Sequence, residues 1–536
     1  MRKWSVLILL SMSMFIIVID TTIMNVSISA LVEDLDTTVG GVQAAISIYG
    51  LVMASFMLIG GRLGGIQGVK RTFVSGVALF GAGTTIASFS QNLAMLIIGW
   101  SVIEGLGSAL MMPNIATLLR SSYQGQQRAF AYGMMSAVAA VGMALGPIAG
   151  GLLTTYASWR WAFRLEVAIV IAVLLLNSAI AGGRIGGKRP GFDFTGALLS
   201  ICGWATIVLS TLLIGDYGFL EARQPLKIGS WEIAPLGLSV VPFLYGIGLL
   251  LVLGLFRWER RLEDRQGDGL FKPSLFSTPG LLSGLAVRFI MMFVTAAFLF
   301  TFPLLLQLTF EYSAIQTGLA LMPYSIATLI TALAGSRLSS RFTAKRIIQV
   351  GFLVAIAGLA FIEASIKPGL SPSDLASGAL YGAGLGLVAS QILNYIYSSV
   401  SSQDTPETTG LTGTFEQLGN AMGVALVGVI MLSLLSPMLI RGLEESAVIP
   451  PEQREAMARS VDSGVELVSD TQLTQSMQAA GADDTVQAEV REIYGFSRTD
   501  AFKAGIAFLL FVAVAGLILT TGMTNRKLVE AEASGS

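Results

Sequence analysis

Four ionisable side chains stand well inside long apolar runs of this 536-residue chain: Asp20, Glu104, Arg288 and Glu416. A charge in hydrocarbon is expensive, so such residues face a bundle interior or a watery cavity and mark ion pairs, relays or ligand sites. Fully ionised, the four sum to −2, which suits a cation better than a neutral ligand. Burial penalises an ionised carboxylate, so a proton and a cation can compete for one group. The chain contains no histidine, so any proton it handles must ride on carboxylates.

Helical spacing gives each charge its neighbours. Asp20 shares a face with Ile16, Ile17, Met24 and Ser27. Glu104 lies with Trp100, Ser101, Ser108 and Met111, and an acid beside an indole and a thioether suits a soft, bulky organic cation. Glu416 shares its face with Thr412, Gly413, Gly419, Asn420 and Gly423, a tight polar seam better suited to a proton. Arg288 has Gly284, Met291, Met292 and Thr295 around it and reads as a structural counter-ion, with Glu104 as a possible partner. The plainer alternatives are a hydrogen-bond acceptor for Asp20 and a protonated packing residue for Glu104. Glu166 and Glu363 fall near the outer ends of their apolar runs and read as rim residues.

These charges sit in fourteen stretches, each long enough to cross a bilayer, which takes about 20 apolar residues. They run 5–31, 42–61, 72–90, 93–118, 129–156, 162–182, 194–214, 233–256, 280–309, 314–336, 346–366, 374–399, 409–438 and 502–523. The first is too long for a signal peptide and is interrupted by Asp20, so it reads as a retained helix. Mean hydropathy is +0.72, and 12% of residues are charged, against about 25% in a soluble domain. The net charge of −1 excludes a general nucleic-acid binder. One cysteine, Cys202, excludes an internal disulfide and a multi-Cys/His zinc site. No phosphate-binding Gly-Lys-Ser/Thr loop, His-Glu-x-x-His or Gly-x-Ser-x-Gly motif is present, so neither ATP nor enzymatic chemistry is implied, and no cofactor or metal.

Lysine and arginine placement sets orientation. With the N-terminus inside, inner segments and adjoining span ends hold 21 of the 33 bases, among them Arg62, Lys70, Arg71, Arg184, Lys188, Arg189, Arg526 and Lys527. Outer segments hold 11, of which six belong to one long loop, about 440–500, and its edge. Both termini are therefore expected in the cytoplasm. That loop has 12 acids and five bases, and Pro450-Pro451 marks a helix start within it, so it reads as a solvated loop or small helical hairpin.

Gly60-Gly61-Arg62-Leu63 after the second span and Gly335-Ser336-Arg337-Leu338 after the tenth both open short basic loops; the first continues to Gly68, Lys70 and Arg71. Two related halves follow, with spans 7 and 8 inserted between them, and a site near the midplane. Further runs are Asp20-Thr21-Thr22-Ile23-Met24-Asn25-Val26, Gly142-Met143-Ala144-Leu145-Gly146-Pro147-Ile148-Ala149-Gly150-Gly151, Trp159-Arg160-Trp161-Ala162-Phe163, Phe192-Asp193-Phe194-Thr195-Gly196, Leu305-Leu306-Gln307 and Gly318-Leu319-Ala320-Leu321-Met322-Pro323. On these the chain resembles the major facilitator superfamily, specifically its fourteen-span drug:proton antiporters. The resemblance covers everything but the 440–500 loop.

The resemblance implies an all-α membrane protein of the major facilitator fold: an N-terminal six-helix bundle over 1–182, an inserted helix pair and cytoplasmic linker over 183–279, and a C-terminal bundle over 280–536. It implies a multi-pass protein of the cell's inner membrane that expels organic cations or amphipathic drugs in exchange for protons, with the lipid bilayer as its other partner and its oligomeric state open. Asp20, Asn25, Trp100, Glu104, Met111, Arg288 and Glu416 are then the substrate- and proton-binding candidates. Gly142, Gly146, Pro147, Gly150 and Gly151 form the antiporter motif, and Gly61, Arg62, Gly68, Lys70 and Arg71 the inner gating loop. The chain departs from the family where Gly65 replaces the loop's aspartate, where Ser101-Val102-Ile103-Glu104-Gly105 lacks the usual arginine and Gln-Gly, and where Glu416 replaces a base. An exporter of a native metabolite, lipid or peptide is the alternative within transport; a non-transporting sensor or scaffold is the alternative outside it.

Overall fold

A bilayer leaves no water to satisfy backbone N–H and C=O groups, so a spanning chain must bond internally, and helices do so within one segment. The computed structural model describes residues 2–180, 191–228, 231–233, 237–339, 341–366, 377–401, 404–462 and 467–525. The expected boundary at 182/183 and the bases Arg184, Lys188, Arg189, Lys367, Arg526 and Lys527 lie outside them.

In chain order the helices are α1 (Arg2–Val26), α2 (Ile28–Asp34), α3 (Val39–Gln67), α4 (Val69–Ser88), α5 (Leu93–Leu96), a π-helix (Ile97–Glu104), α6 (Gly105–Ser122), α7 (Gly125–Tyr156) and α8 (Arg160–Leu176). Then come α9 (Phe194–Tyr217), α10 (Val241–Asp264), α11 (Leu281–Thr309), α12 (Ala314–Ala320), α13 (Met322–Leu338), α14 (Ala344–Ser365) and α15 (Gly378–Ser398). The last are α16 (Thr405–Glu445), α17 (Pro451–Asp462), α18 (Asp470–Ala479) and α19 (Asp484–Leu519). Side-chain oxygens close several N-termini: Thr38 accepts from the Gly41 N–H, Asn92 from Met95, Asp193 from Gly196, and Ser313 forms a capping box with Gln316. A two-stranded antiparallel hairpin, β1 (Leu226–Ile228) and β2 (Trp231–Ile233), joins α9 to α10 and has no counterpart in the sequence reading.

Twelve helices among the described residues are long and apolar enough to cross a membrane, not the fourteen expected. The other two expected spans exist as helices: α4, where glycine, serine and threonine dilute the apolar run, and α8, only 17 residues long. Both pack inside the bundle, α4 against α6 and α8. The face carrying the start of α1 is called the N-terminal face below, and the face carrying α17 and α18 the loop face.

Close helix packing repeats at a fixed interval. A Cβ on Gly76 or Gly83 of α4 would strike the backbone at Gly107 or Glu104. The same holds 275 residues further on, where Gly351 and Gly358 of α14 meet the backbone at Gly384 and Tyr381 of α15. Small residues are what let helices approach this closely in lipid. Between these blocks, α3 packs along α16, while α7 packs on α1, α12 and α13.

The 440–500 region is neither one loop nor loosely solvated. Helix α16 runs on to Glu445, α19 begins at Asp484 rather than near 502, and α17 starts at the expected double proline. The pieces are pinned by Arg498, 1% exposed, which donates to the Val468 carbonyl and to Asp470, each at 2.7 Å. Thr471 donates its N–H to Glu311 at 2.9 Å, and these hydrogen bonds hold the Glu311 carboxyl below the usual carboxylate range. Arg498→Ala is expected to lower stability by about 2 kcal/mol, the scale of charge-assisted hydrogen bonds. A lower Tm with faster proteolysis near residue 467 checks it; unchanged values would mean the cap is held by its apolar contacts alone.

Candidate functional site

Asp20 lies six residues before the end of α1, about 9 Å in from that end. Its two carboxylate oxygens accept from the Trp100 indole N–H at 3.0 and 2.9 Å. Trp100 belongs to the π-helix, whose wide turn departs from the 3.6-residue spacing. The single face expected for Trp100, Ser101, Glu104, Ser108 and Met111 is therefore split. Ser101 donates to the Ala45 carbonyl at 2.8 Å, Ser108 bonds the Tyr49 hydroxyl at 3.0 Å, and Met111 lies against Gly76.

Trp100 and Met111 stand within the packed interior. They are 1% and 0% exposed, and Tyr49 stacks on the indole at 5.2 Å with 20° between the planes. Glu104 accepts from Thr84 at 2.5 Å through one oxygen, and its other oxygen has no partner.

The third acid is Glu166 on α8. It was read as a rim residue; it is 3% exposed and neither oxygen has a hydrogen-bond partner. One carboxylate oxygen from each of Asp20, Glu104 and Glu166 lies within 4.8 Å of the others. The buried stripe Trp159, Phe163, Glu166, Val170 and Val173 was the available signal: its spacing puts Glu166 on the inward face of α8. Three ionised carboxylates so placed, with no cationic side chain bonded to any of them among the described residues, would repel one another strongly in a low dielectric. The arrangement can hold protons or a cation; it cannot hold three bare charges.

The other two charges meet each other. Arg288 on α11 pairs with Glu416 on α16 at 2.7 Å, with side-chain exposures of 8% and 16%. The considered Glu104–Arg288 pair is not formed, and Glu416 is not alone in a glycine seam. Arg288 stands seven residues into α11, about 10 Å from the N-terminal face, so the two charged groups occupy different depths. Asn25 donates to the Thr21 carbonyl at 2.7 Å and has an unpartnered oxygen, away from both groups' hydrogen bonds.

The glycine motif on α7 is a seam. Gly142, Gly146 and Gly150 lie against Val18, Thr22 and Ile23 of α1, while Gly151 meets Ala314 and the Pro147 carbonyl meets Gly318. Gln307 closes the same region, donating to the Val26 carbonyl at 2.7 Å and accepting from the Ser29 N–H at 3.2 Å. In the loop after α3, Gly68 has φ of 100°, which makes the turn into α4; Lys70 donates to the Ile180 carbonyl at 2.6 Å, and Arg62 pairs with Asp268 at 2.9 Å. Gly61 packs against Pro113, and Arg71 is exposed.

A bundle of long apolar helices with buried charges at its centre defines a multi-pass membrane transporter rather than an enzyme. The model of the Major Facilitator Superfamily matches residues 10–424, and the chain belongs to that family. It is 28% identical over 424 residues to a cephamycin export protein of Amycolatopsis lactamdurans, covering 77% of this chain and 82% of that one. It is 26% identical over 491 residues to a probable actinorhodin transporter of Streptomyces coelicolor, covering 90% and 82%. A tetracenomycin C resistance and export protein of Streptomyces glaucescens is 26% identical over 436 residues, covering 81% and 76%. Among solved structures, a bacterial homologue of the human lysosomal transporter Spinster shares the fold with a TM-score of 0.62, at 14% identity over 97% of this chain and 98% of that one.

An orphaned buried carboxylate costs about 1–3 kcal/mol or more. Glu166→Met is therefore expected to raise the Tm of the purified protein while lowering transport. A fall in Tm would show that Glu166 is a packing residue with partners of its own.

Proposed function

We propose that the chain is a proton-coupled exporter of bulky amphipathic organic compounds, cationic ones included, working by alternating access. The observation that carries this reading is the cluster of Asp20, Glu104 and Glu166, drawn from three separate elements and, among the described residues, bonded to no cationic side chain. A group of acids so disposed loads protons when exposed to one side and sheds them when exposed to the other. The names of the relatives, which refer to export of and resistance to antibiotics, support the direction and the substrate class.

The roles read from sequence are exchanged here. Glu104 sits in the tight space and takes a proton; Glu416 is partly exposed, held by Arg288, and meets a cationic group. The helices α4 and α8 complete fourteen spans, the halves divide near 182 and 280, and both termini lie in the cytoplasm, as the distribution of bases supports.

In sealed vesicles with an imposed pH gradient, Asp20→Asn is expected to cut gradient-driven flux at least tenfold at normal expression, on the scale of a lost acid–base group (about 10²-fold). Glu416→Gln is expected to keep coupling but weaken binding of cationic compounds about tenfold, one lost charge-assisted contact. Gradient-driven export by Asp20→Asn would overturn the coupling assignment. Loss of coupling in Glu416→Gln with binding intact would restore the opposite division.

Orientation is tested separately. Ser463, the natural loop position, lies outside the described residues, so Ala480, exposed, serves instead. With Cys202 replaced, a cysteine at 480 should react with an impermeant thiol reagent in intact cells and one at Ser277 should not. The reverse pattern would invert the topology.

A further inference from the structure

The basic loop after α3, Gly60 to Arg71 with Gly65 near its centre, contains no acid of its own. An acid does reach that loop, but from elsewhere in the chain. Asp268, in the linker between α10 and α11, pairs with Arg62 of α3 at 2.9 Å and accepts from the Gly191 N–H at 2.8 Å. Four residues on, Lys272 of the same linker pairs with Asp404 at 2.9 Å and with Glu407 at 3.6 Å, at the start of α16. Lys272 holds the Asp404 carboxyl below the usual carboxylate range, and Asp404 in turn raises the Lys272 ammonium. One short segment thus grips the N-terminal-face ends of α3 and α16, helices from opposite halves.

The segment is built to bear load. Leu270, Phe271 and Leu275 are 4–5% exposed, and Phe271 and Phe276 pack on Phe256 of α10 at 5.4 and 5.1 Å. Glu259 accepts the Leu270 N–H at 3.0 Å, and Glu263 accepts the Ser274 N–H at 3.0 Å. The linker therefore moves with α10. The inserted pair also straddles the seam: Trp204 and Val208 of α9 pack with Leu51 and Ala54 of α3 and with Leu418 and Ala421 of α16.

We propose that the inserted helix pair is a brace across the two halves and its linker a clasp, in which Asp268 and Lys272 tie α3 to α16 and must release before those ends can separate. The proposal rests on the alternating-access reading above. It gives the inserted pair a mechanical task and supplies the basic loop after α3 with an acid that the loop itself lacks. Both ion pairs are partly exposed, so the clasp is weak enough to open in each cycle and is screened by salt.

The test is a distance measurement on the full-length protein, with Cys202 replaced and spin labels at Gln67 and Thr405. Asp268→Asn with Lys272→Gln is expected to raise the longer-distance population about fivefold, the scale of an exposed ion pair. High salt should move the unmodified protein the same way. The exchange of Arg62→Asp with Asp268→Arg should restore the short distance, which a misfolded variant would not do. An unchanged distribution in the double variant, or no recovery in the exchange, would overturn the clasp. Neither result depends on flux: a chain that moves no substrate yet responds as described would retain the clasp and lose the transport reading.

Discussion

Charge is distributed unequally between the two halves, and much of the interior is arranged around that inequality. Asp20, Glu104 and Glu166 stand together, with the Trp100 indole donating to Asp20 and the Thr84 hydroxyl to Glu104. In the second half Arg288 and Glu416 neutralise each other. The helix packing that carries the two arrangements is nevertheless the same at an interval of 275 residues. Tyr49 of α3 corresponds to Tyr324 of α13, and Tyr49 stacks on Trp100 as Tyr324 stacks on Tyr381, at 5.8 Å and 23°. Where Gly83 meets the backbone of Glu104, Gly358 meets that of Tyr381. Two copies of one helix packing thus carry different interiors, three unpaired acids in the first half and an ion pair beside stacked tyrosines in the second.

Legibility in the sequence followed the range of the interaction. Long apolar runs gave nearly every helix, because hydrogen bonding in lipid is local to the segment. The double proline gave α17, and the glycine periodicity of α7 gave its seam with α1. The π-helix was not legible: Gly83, Gly99 and Gly107 let α4 pack closely on this stretch, and no spacing rule within the segment reports such a contact or the wider turn. That one local departure misplaced Trp100 and Met111. Glu166 was misread because its distance from the helix start was weighed and the stripe around it was not. Partners for Arg288 could not be chosen from sequence, since Glu104 and Glu416 are both more than a hundred residues from it along the chain and only the α11–α16 contact decides.

The seam between the halves limits how they can move. Along α3 and α16 contact is continuous: Gln43 donates to the Val424 and Ala425 carbonyls at 3.2 and 2.9 Å, Gly50 meets Ala421, Gly413 meets Met57 and Gly410 meets Leu58. Along α7 the contacts with α12 gather at one end, at Pro147, Gly151 and Thr155, the last accepting from the Ile315 N–H at 3.2 Å. Helix α7 also packs on α13, so the halves meet on both sides of the bundle. The inserted α9 lies on the α3–α16 seam, and the linker after α10 pairs with the same two helices. The acid cluster stands nearer the loop face and the Arg288–Glu416 pair nearer the N-terminal face, so the two charged groups lie toward opposite sides of the bundle.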